Sequence, residues 1–262
     1  MRKYWTILKL ELQKGMQYRF NFFASIVSNS FILIFFFYFW IKIYSEGNKI
    51  GSYDLRSLLT YYFLAVIIGS LLFLNLGWII SDEIREGRLT NFILKPLNYL
   101  INNFAKYWGA LCGKLIYYIP IIAIAFIFLR RFFIYPLNLV QWMFFLLSFI
   151  LASLLYFLIF YIIGLTSFWL GMIQGFSYGF MVFTNFMGGK YLPLDLLPTW
   201  FVKINVYLPF QYMTYEPVSI FLNKINFNYF SLFVPVVWII ILFALSCFVW
   251  KRGIIVYEAY GA

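Results

Sequence analysis

Long apolar runs separated by short polar segments form the main pattern of this chain. The first three runs extend from about Phe20 to Ile41, from about Ser57 to Ile80 and from about Lys106 to Leu129. An α-helix crosses the hydrocarbon core of a bilayer with about 20 apolar residues. Each run therefore predicts one membrane-spanning helix, over residues 20–41, 57–80 and 106–129.

The next apolar run, from Leu139 to Gly189, is too long for a single crossing. As one helix it would extend roughly 76 Å, about twice the thickness of a bilayer. We predict a turn near Gly164 to Gly171, with spans over residues 139–163 and 171–189. Small residues recur every four positions here, a pattern that lets another helix approach closely. These candidate packing residues are Ser167, Gly171, Gly175 and Gly179.

Residues 190–228 are apolar, but prolines interrupt every stretch that would be long enough to span. Two short re-entrant or interfacial helices fit this pattern better, over about Leu194–Val206 and Tyr212–Leu222. The final run predicts a sixth span over residues 229–250, which Lys251 and Arg252 close.

The first 19 residues predict a helix that lies in the membrane interface. Trp5, Leu8, Leu12 and Met16 share one helical face, and lysines occupy the other. We do not interpret this segment as a cleavable signal, because the apolar run after it is too long and no small-residue cleavage site follows.

Residues Asp82 to Leu97, here called the charged segment, separate two apolar runs. Charges alternate in sign over its first half, and no bilayer interior accepts such a sequence. It therefore lies in water. After Gly87, the spacing of Leu89, Phe92, Ile93 and Leu97 predicts a short amphipathic helix that Pro96 ends. Such a helix suits docking into a cleft of another protein, although an ordinary juxtamembrane loop has the same pattern.

The composition places the chain among polytopic all-α membrane proteins. Of its residues, 64% are hydrophobic and 11% are charged, and the mean hydropathy is +0.86. We expect one transmembrane domain over residues 1–262, since no polar stretch is long enough to form a separate core. The net charge of +11 comes from basic residues that flank the apolar runs, which indicates contact with anionic lipids and not with nucleic acid.

Six spans place both termini on one side of the membrane, together with the charged segment. Most of the 20 lysines and arginines fall on that side, five of them before the first span. The positive-inside rule then assigns the termini and the charged segment to the cytoplasm, and residues 190–228 to the outside.

Several classes of chemistry lack the residues they need. The chain has no histidine, no Walker A sequence and no C-x-x-C pair, so we expect no metal site and no ATP hydrolysis by this chain alone. The Gly175–Gly179 match to G-x-S-x-G lies inside a predicted span, where helix packing explains the glycines. Lys114 is the one clearly intramembrane charge, and its side chain can extend back to the near surface, which favours a structural role over a transport site.

Three groups of residues occur in an order that resembles a known family. The most specific group is Glu83-Ile84-Arg85-Glu86-Gly87-Arg88-Leu89 followed by Ile93-Leu94-Lys95-Pro96-Leu97. The second comprises Gly188-Gly189, Pro193-Leu194, Leu197-Pro198 with Trp200, Leu208-Pro209-Phe210, and Tyr215 with Pro217-Val218. The third is Trp250-Lys251-Arg252-Gly253 with Tyr257-Glu258-Ala259. In these groups the chain resembles the ABC-2 type permeases, specifically the six-span permease subunits of bacterial ABC transporters.

The resemblance implies a role for each region. The charged segment would be the coupling helix that rests in a groove of a separate ABC ATP-binding subunit, which holds the ATP and magnesium. Its contact residues would be Glu83, Arg85, Glu86, Gly87, Arg88, Leu89, Phe92, Ile93 and Pro96. Residues 190–228 would be re-entrant, with Gly188, Gly189, Pro193, Pro198, Trp200, Pro209 and Pro217 as their marker residues.

On this resemblance we expect a permease subunit of an exporter in a bacterial plasma membrane, paired with a second permease subunit that is either identical or related. A polytopic lipid-modifying enzyme and a scaffold without transport activity are the alternatives. An enzyme would turn over without ATP, and a scaffold would support no ATP-dependent flux. The substrate stays open, because membrane helices are apolar whatever they carry.

Overall fold

The computed structural model describes residues 2–17, 19–46, 51–128, 130–136, 138–225 and 229–257. Outside these ranges lie residues 1 and 18 of the predicted interfacial helix, the predicted span end at residue 129, residues 226–228 of the predicted re-entrant region, and Glu258 and Ala259. The α-helices are α1 (Arg2–Gln17), α2 (Arg19–Ser45), α3 (Leu55–Leu72), α4 (Leu76–Arg85), α5 (Thr90–Ile93), α6 (Tyr99–Phe128), α7 (Leu139–Leu165), α8 (Ser167–Leu170), α9 (Gln174–Met187), α10 (Thr199–Asn205), α11 (Tyr215–Phe221) and α12 (Tyr229–Val256).

Five stretches of helix in the described residues are long and apolar enough to cross a membrane. They are Phe23–Ser45, Leu55–Arg85, Tyr99–Phe128, Leu139–Leu170 and Ser231–Val256. The prediction of an all-helical polytopic membrane protein is thereby confirmed, and these five stretches match five of the six predicted spans.

The remaining predicted span, over residues 171–189 and fifth in chain order, is not confirmed as a crossing. Gly171 has a positive φ of 65°, a conformation that ends α8 and that residues with a side chain rarely adopt. The chain becomes helical again only at Gln174. The resulting α9 has 14 residues, which at 1.5 Å per residue gives about 21 Å, shorter than the hydrocarbon core of about 30 Å.

Residues 190–225 form short helices that are shorter than predicted, and their re-entrant course stays a prediction. The structure has 3₁₀ turns at Leu194–Leu196 and Gln211–Met213 and places α10 and α11 after them. Pro198 directly precedes α10 and Pro217 lies in the first turn of α11, positions where a missing N–H removes no helical hydrogen bond.

The interior of the protein is built around α3 and α7. The apolar windows of Leu55–Arg85 and Leu139–Leu170 are 67% and 61% buried, whereas that of α2 is 6% buried. Helix α7 contacts α3, α4, α9, α11 and α12. Two fully buried tyrosines of α3 contact other aromatic rings in this core: Tyr62 stacks on Phe36, and Tyr61 packs at a tilt against Tyr215. The exposed surface of α2 is thus available to lipid or to another chain.

The second span is broken between α3 and α4. Residues Phe73 to Asn75 are not helical, which leaves carbonyl groups at the end of α3 without helical partners. The ammonium group of Lys114 on α6 donates to two of these carbonyls, at 2.7 Å from Ser70 O and 2.5 Å from Phe73 O. The Lys114 side chain therefore caps the end of α3 instead of extending back to the near surface.

Helix α1 lies along α6, in the most extensive contact between two helices of the described chain. Glycines on α6 make this close approach possible. A Cβ atom at Gly109 would lie 2.5 Å from the carbonyl oxygen of Leu8, whereas one at Gly113 would meet its nearest neighbour at 3.6 Å. The backbone N–H of Asn98 donates to the hydroxyl of Tyr4 at 2.9 Å and fixes the start of α6 against α1.

The spacing at Gly109 generates a prediction for the docking of α1. We expect Gly109→Ala to lower the midpoint of thermal unfolding in detergent and to speed protease cleavage within α1, since overpacking of this kind costs about 1–3 kcal/mol. The matched control is Gly113→Ala, one turn further along α6, where an added methyl group makes an ordinary contact. Equal behaviour of the two variants would contradict this account.

Candidate functional site

A glycine turn shapes the charged segment. Helix α4 ends at Arg85, and Gly87 follows with a positive φ of 72°. The chain then reverses, so that the N–H of Leu89 donates to the carbonyl of Glu83 at 2.9 Å. The predicted amphipathic helix is present only as the single turn of α5, because the residues before Thr90 form the chain reversal.

Glu83 lies on the inner side of the charged segment. Its carboxylate accepts a hydrogen bond from the Tyr99 hydroxyl at 2.7 Å and forms an ion pair with the Lys106 ammonium at 2.9 Å. Both partners belong to α6. These contacts attach the segment to α6, and the contact of Glu83 with an ATP-binding subunit stays a prediction.

Leu89 and Phe92 also face inward. Leu89 is fully buried, so insertion of this side chain into a partner would require the turn to rearrange. Phe92 packs edge to face on Tyr99, whose ring stacks in turn on Trp250 of α12 with 4.6 Å between centroids. The Tyr257 hydroxyl is 3.1 Å from Thr90 Oγ1. The inner side of the segment is therefore joined to both α6 and α12.

The outer side of the charged segment carries exposed charges and exposed apolar groups. Arg88 Nε lies 2.9 Å from Glu86 Oε2, and Arg85 lies within 3.3 Å of Asp82 and 3.8 Å of Glu86. Such exposed ion pairs contribute about 0–1 kcal/mol, so they exchange partners at little cost. Beside them, Ile93 and Leu94 are 46% and 80% exposed.

The exposed position of Leu94 was missed by the sequence reasoning, which followed the helical spacing through Leu89, Phe92 and Ile93. The tight turn at Gly87 shifts the exposed apolar face to Ile93 and Leu94, and Pro96 follows them at the surface. In the sequence, the position of Leu94 directly before Lys95 and Pro96, which are typical of a surface turn, is the signal that indicates its exposure.

The predicted packing residues lie on two different elements. Ser167 is buried in α8, whereas Gly175 and Gly179 lie in α9. A Cβ atom at Gly171, Gly175 or Gly179 would have no heavy atom of the described residues within 4 Å. Close helix packing at this stripe therefore stays a prediction, and it would need a helix from another chain.

Residues 188–191 are fixed to α3 by its two buried tyrosines. The Tyr61 hydroxyl donates to Gly189 O at 2.6 Å, and the Tyr62 hydroxyl donates to Tyr191 O at 3.1 Å. Gly189 has a positive φ of 77°. At Gly188 a Cβ atom would lie 2.8 Å from Thr184 O, so both glycines are required by the path of the backbone. Pro193 begins a 3₁₀ turn, Pro209 is buried and Trp200 is exposed.

Polar contacts tie the region after α9 to the loops that flank it. The Tyr53 hydroxyl donates to Asp195 at 2.8 Å, and Lys224 Nζ lies 3.6 Å from the same carboxylate. Burial lowers the pKa of the Lys224 ammonium, and the neighbouring Asp195 opposes this shift. Burial also raises the pKa of the Glu216 carboxyl on α11. The described residues hold no group of three or more His, Cys, Asp or Glu side chains that could bind a metal ion.

The positive φ at Gly87 generates a prediction for the charged segment. We expect Gly87→Val to lower the midpoint of thermal unfolding, because the left-handed conformation costs a residue with a side chain about 1–2 kcal/mol. Membrane insertion should be unchanged, as measured by the amount of protein in the membrane fraction. Gly87→Asn is the control, since asparagine tolerates this conformation better than valine. A valine variant as stable as the parent would refute the strained turn.

Comparison with known proteins places this architecture in a family. The family model described as ABC-2 family transporter protein matches residues 14–261. No match was found among curated proteins. The match covers the membrane-spanning stretches, the charged segment and the region after α9, so the three groups of residues identified in the sequence all lie within it. The chain therefore belongs to the ABC-2 family of transporter proteins, as one of their multi-pass membrane components.

Proposed function

We propose that this chain is the permease subunit of an ABC exporter, that it forms half of the substrate pathway, and that a separate ATP-binding subunit drives it. Family membership supports the permease role. The observation that carries the proposal further is the two-sided charged segment, with an outer side open to a partner and an inner side bonded to the spans.

The outer side has the composition of a docking surface. Ile93 and Leu94 supply exposed apolar groups at its centre, and Arg85, Glu86 and Arg88 surround them with charges of both signs. A central apolar contact within a polar rim is the usual arrangement of protein interfaces. In the proposed complex the apolar pair enters a groove of the ATP-binding subunit, and the charges select its orientation.

The inner side transmits movement of the partner into the membrane. A displacement of the segment would act on α6 through Glu83 and Lys106, and on α12 through Tyr99 and Trp250. ATP held with magnesium by the partner would favour one arrangement of two ATP-binding subunits. The permease pair would then change its conformation, by an amount set by how differently its two conformations bind that arrangement of the ATP-binding subunits.

In this proposal the chain lies in a bacterial plasma membrane with both termini and the charged segment in the cytoplasm. Helix α9 with the turn before it acts as the remaining span, over residues 171–189, and residues 190–228 form the re-entrant region on the outside. A second permease subunit, either a copy of this chain or a relative, covers the exposed faces of α2 and α9. Gly175 and Gly179 give that subunit room to approach.

The docking surface is tested by purifying the tagged chain from its native membrane in mild detergent and measuring the partners that accompany it. We expect an ABC ATP-binding subunit in fixed ratio to the chain. Replacing both Ile93 and Leu94 by Asp should weaken its binding at least about 30-fold, as loss of an interface centre costs about 2 kcal/mol or more. ATP-dependent flux in reconstituted vesicles should fall with it.

The matched control is Ile204→Asp on α10, which alters an exposed isoleucine outside the charged segment. It should leave the ATP-binding subunit bound. A chain that purifies without any ATP-binding subunit would overturn the proposal in favour of an enzyme that needs no ATP. A bound ATP-binding subunit without ATP-dependent flux would instead indicate a scaffold.

A further inference from the structure

A cavity of about 660 Å³ lies between α2, α3, α4 and α9, and two lysines line it. These are Lys114 of α6 and Lys190, which follows α9. Among the described residues that line this space, here called the lysine cavity, none is an aspartate or a glutamate. Two cations without a carboxylate in a largely apolar enclosure make its potential positive.

The position of Lys190 is fixed by its neighbours in the chain. Its N–H donates to Asn185 O at 2.9 Å, and the carbonyls on either side of it, at Gly189 and Tyr191, are held by Tyr61 and Tyr62. The Lys190 side chain passes over Gly69 of α3, where a Cβ atom would lie 2.8 Å from its Cε and Nζ atoms. The backbone around Lys190 thus directs its side chain across α3.

The ammonium group of Lys190 has no hydrogen-bond acceptor or ion-pair partner among the described residues. Burial lowers the pKa of this group, because removal from water penalises its charged form. A buried cation without a partner is unfavourable. An anion bound in the cavity would remove this penalty and favour the charged ammonium.

Lys114 extends the positive site toward a second cavity. Two of the three N–H groups of its ammonium bind Ser70 O and Phe73 O, which leaves one for a ligand. Lys114 also lines a neighbouring space of about 470 Å³, together with Lys14 and Glu11 of α1. Glu11 is neutralised there by Lys14 at 2.7 Å. Lys14, Lys114 and Lys190 therefore follow one another from α1 toward the region after α9.

The walls around the lysines are aromatic and apolar. Phe36 of α2, Trp78 of α4 and Tyr178 of α9 line the same cavity. Amide and hydroxyl groups such as Asn29 and Asn185 also reach it and can hydrogen-bond the oxygen atoms of a ligand. A ligand that satisfies every wall needs both a negatively charged group and an apolar part.

We infer that the lysine cavity binds an anionic amphiphile, with its phosphate or carboxylate group between Lys190 and Lys114 and its apolar part against Phe36, Trp78 and Tyr178. The inference rests on the proposed permease function and names the class of its substrate. The negative group would pass from lysine to lysine, while the apolar part stays in contact with the aromatic walls.

The test measures direct binding to the full chain, purified in a neutral maltoside detergent with whatever subunits accompany it. Isothermal calorimetry compares dodecyl phosphate, dodecylphosphocholine and inorganic phosphate. Dodecyl phosphate should bind at least about tenfold more tightly than either of the others. Inorganic phosphate lacks the apolar chain, and the choline cation of dodecylphosphocholine would be repelled by the two lysines. If inorganic phosphate binds as tightly, the ligand needs no apolar part and the inferred class is wrong. If dodecylphosphocholine binds as tightly, the cavity has no preference for a net negative charge.

Variants of Lys190 locate the site. Lys190→Gln should weaken dodecyl phosphate binding at least about tenfold, and Lys190→Arg should retain most of it. Gly69→Ala keeps the charge but displaces the ammonium, so it should weaken binding as well. Lys203→Gln, an exposed lysine of α10, is the matched control and should change nothing. Unaltered binding by Lys190→Gln and Gly69→Ala would refute the site.

The two proposals fail in different ways. Binding of dodecyl phosphate requires no ATP-binding subunit, so a selective site on a chain that purifies alone would uphold the inference about the cavity and refute the permease mechanism. If an ATP-binding subunit accompanies the chain but the three probes bind with equal affinity, the inference about the cavity is refuted and the permease proposal still stands.

Discussion

The lack of water inside a bilayer governs this structure, because every backbone group there has to find its partner within the protein. Two of the places where the chain departs from regular helix are between α3 and α4 and after α9. Lys114 supplies donors to the free carbonyls at the first place, and Tyr61 and Tyr62 supply them at the second. Irregular backbone in a membrane protein is tolerated where it lines a cavity, and both places line the lysine cavity.

Burial divides the charged side chains of the charged segment into two groups. Glu83 is fully engaged by Tyr99 and Lys106, and breaking these contacts would leave a charge without its partner. The pairs formed by Glu86 with Arg85 and Arg88 are half-exposed and weak. The charges of this short sequence therefore differ in their contacts. The Glu83 carboxylate attaches the segment to α6, whereas Glu86 pairs with Arg85 and Arg88 at the surface.

Hydrophobic patterning predicted the helical class, five of the spans and the short helices after residue 190, because burial in lipid leaves a strong signal in composition. It could not predict where helices stop inside an apolar run. The break at Gly171 depends on the conformation of one residue. The four-residue spacing of Ser167, Gly171 and Gly175 is the same in a continuous helix and in a chain that turns at Gly171. The sequence could not predict where the Lys114 side chain extends either, because the carbonyls that it caps lack helical partners only as a result of the break after α3.

Helix α4 joins the two proposed sites in a single rigid element. Trp78 near its start lines the lysine cavity, and Asp82 and Arg85 at its end belong to the charged segment. Its ten residues extend about 15 Å, and the non-helical link Phe73–Asn75 separates it from α3. In the proposed mechanism a force on the charged segment would therefore reach the wall of the lysine cavity through α4, which also packs on α7. The break that Lys114 caps lies where this helix begins, so the same link lines the cavity through Phe73 and Asn75 and separates α4 from α3.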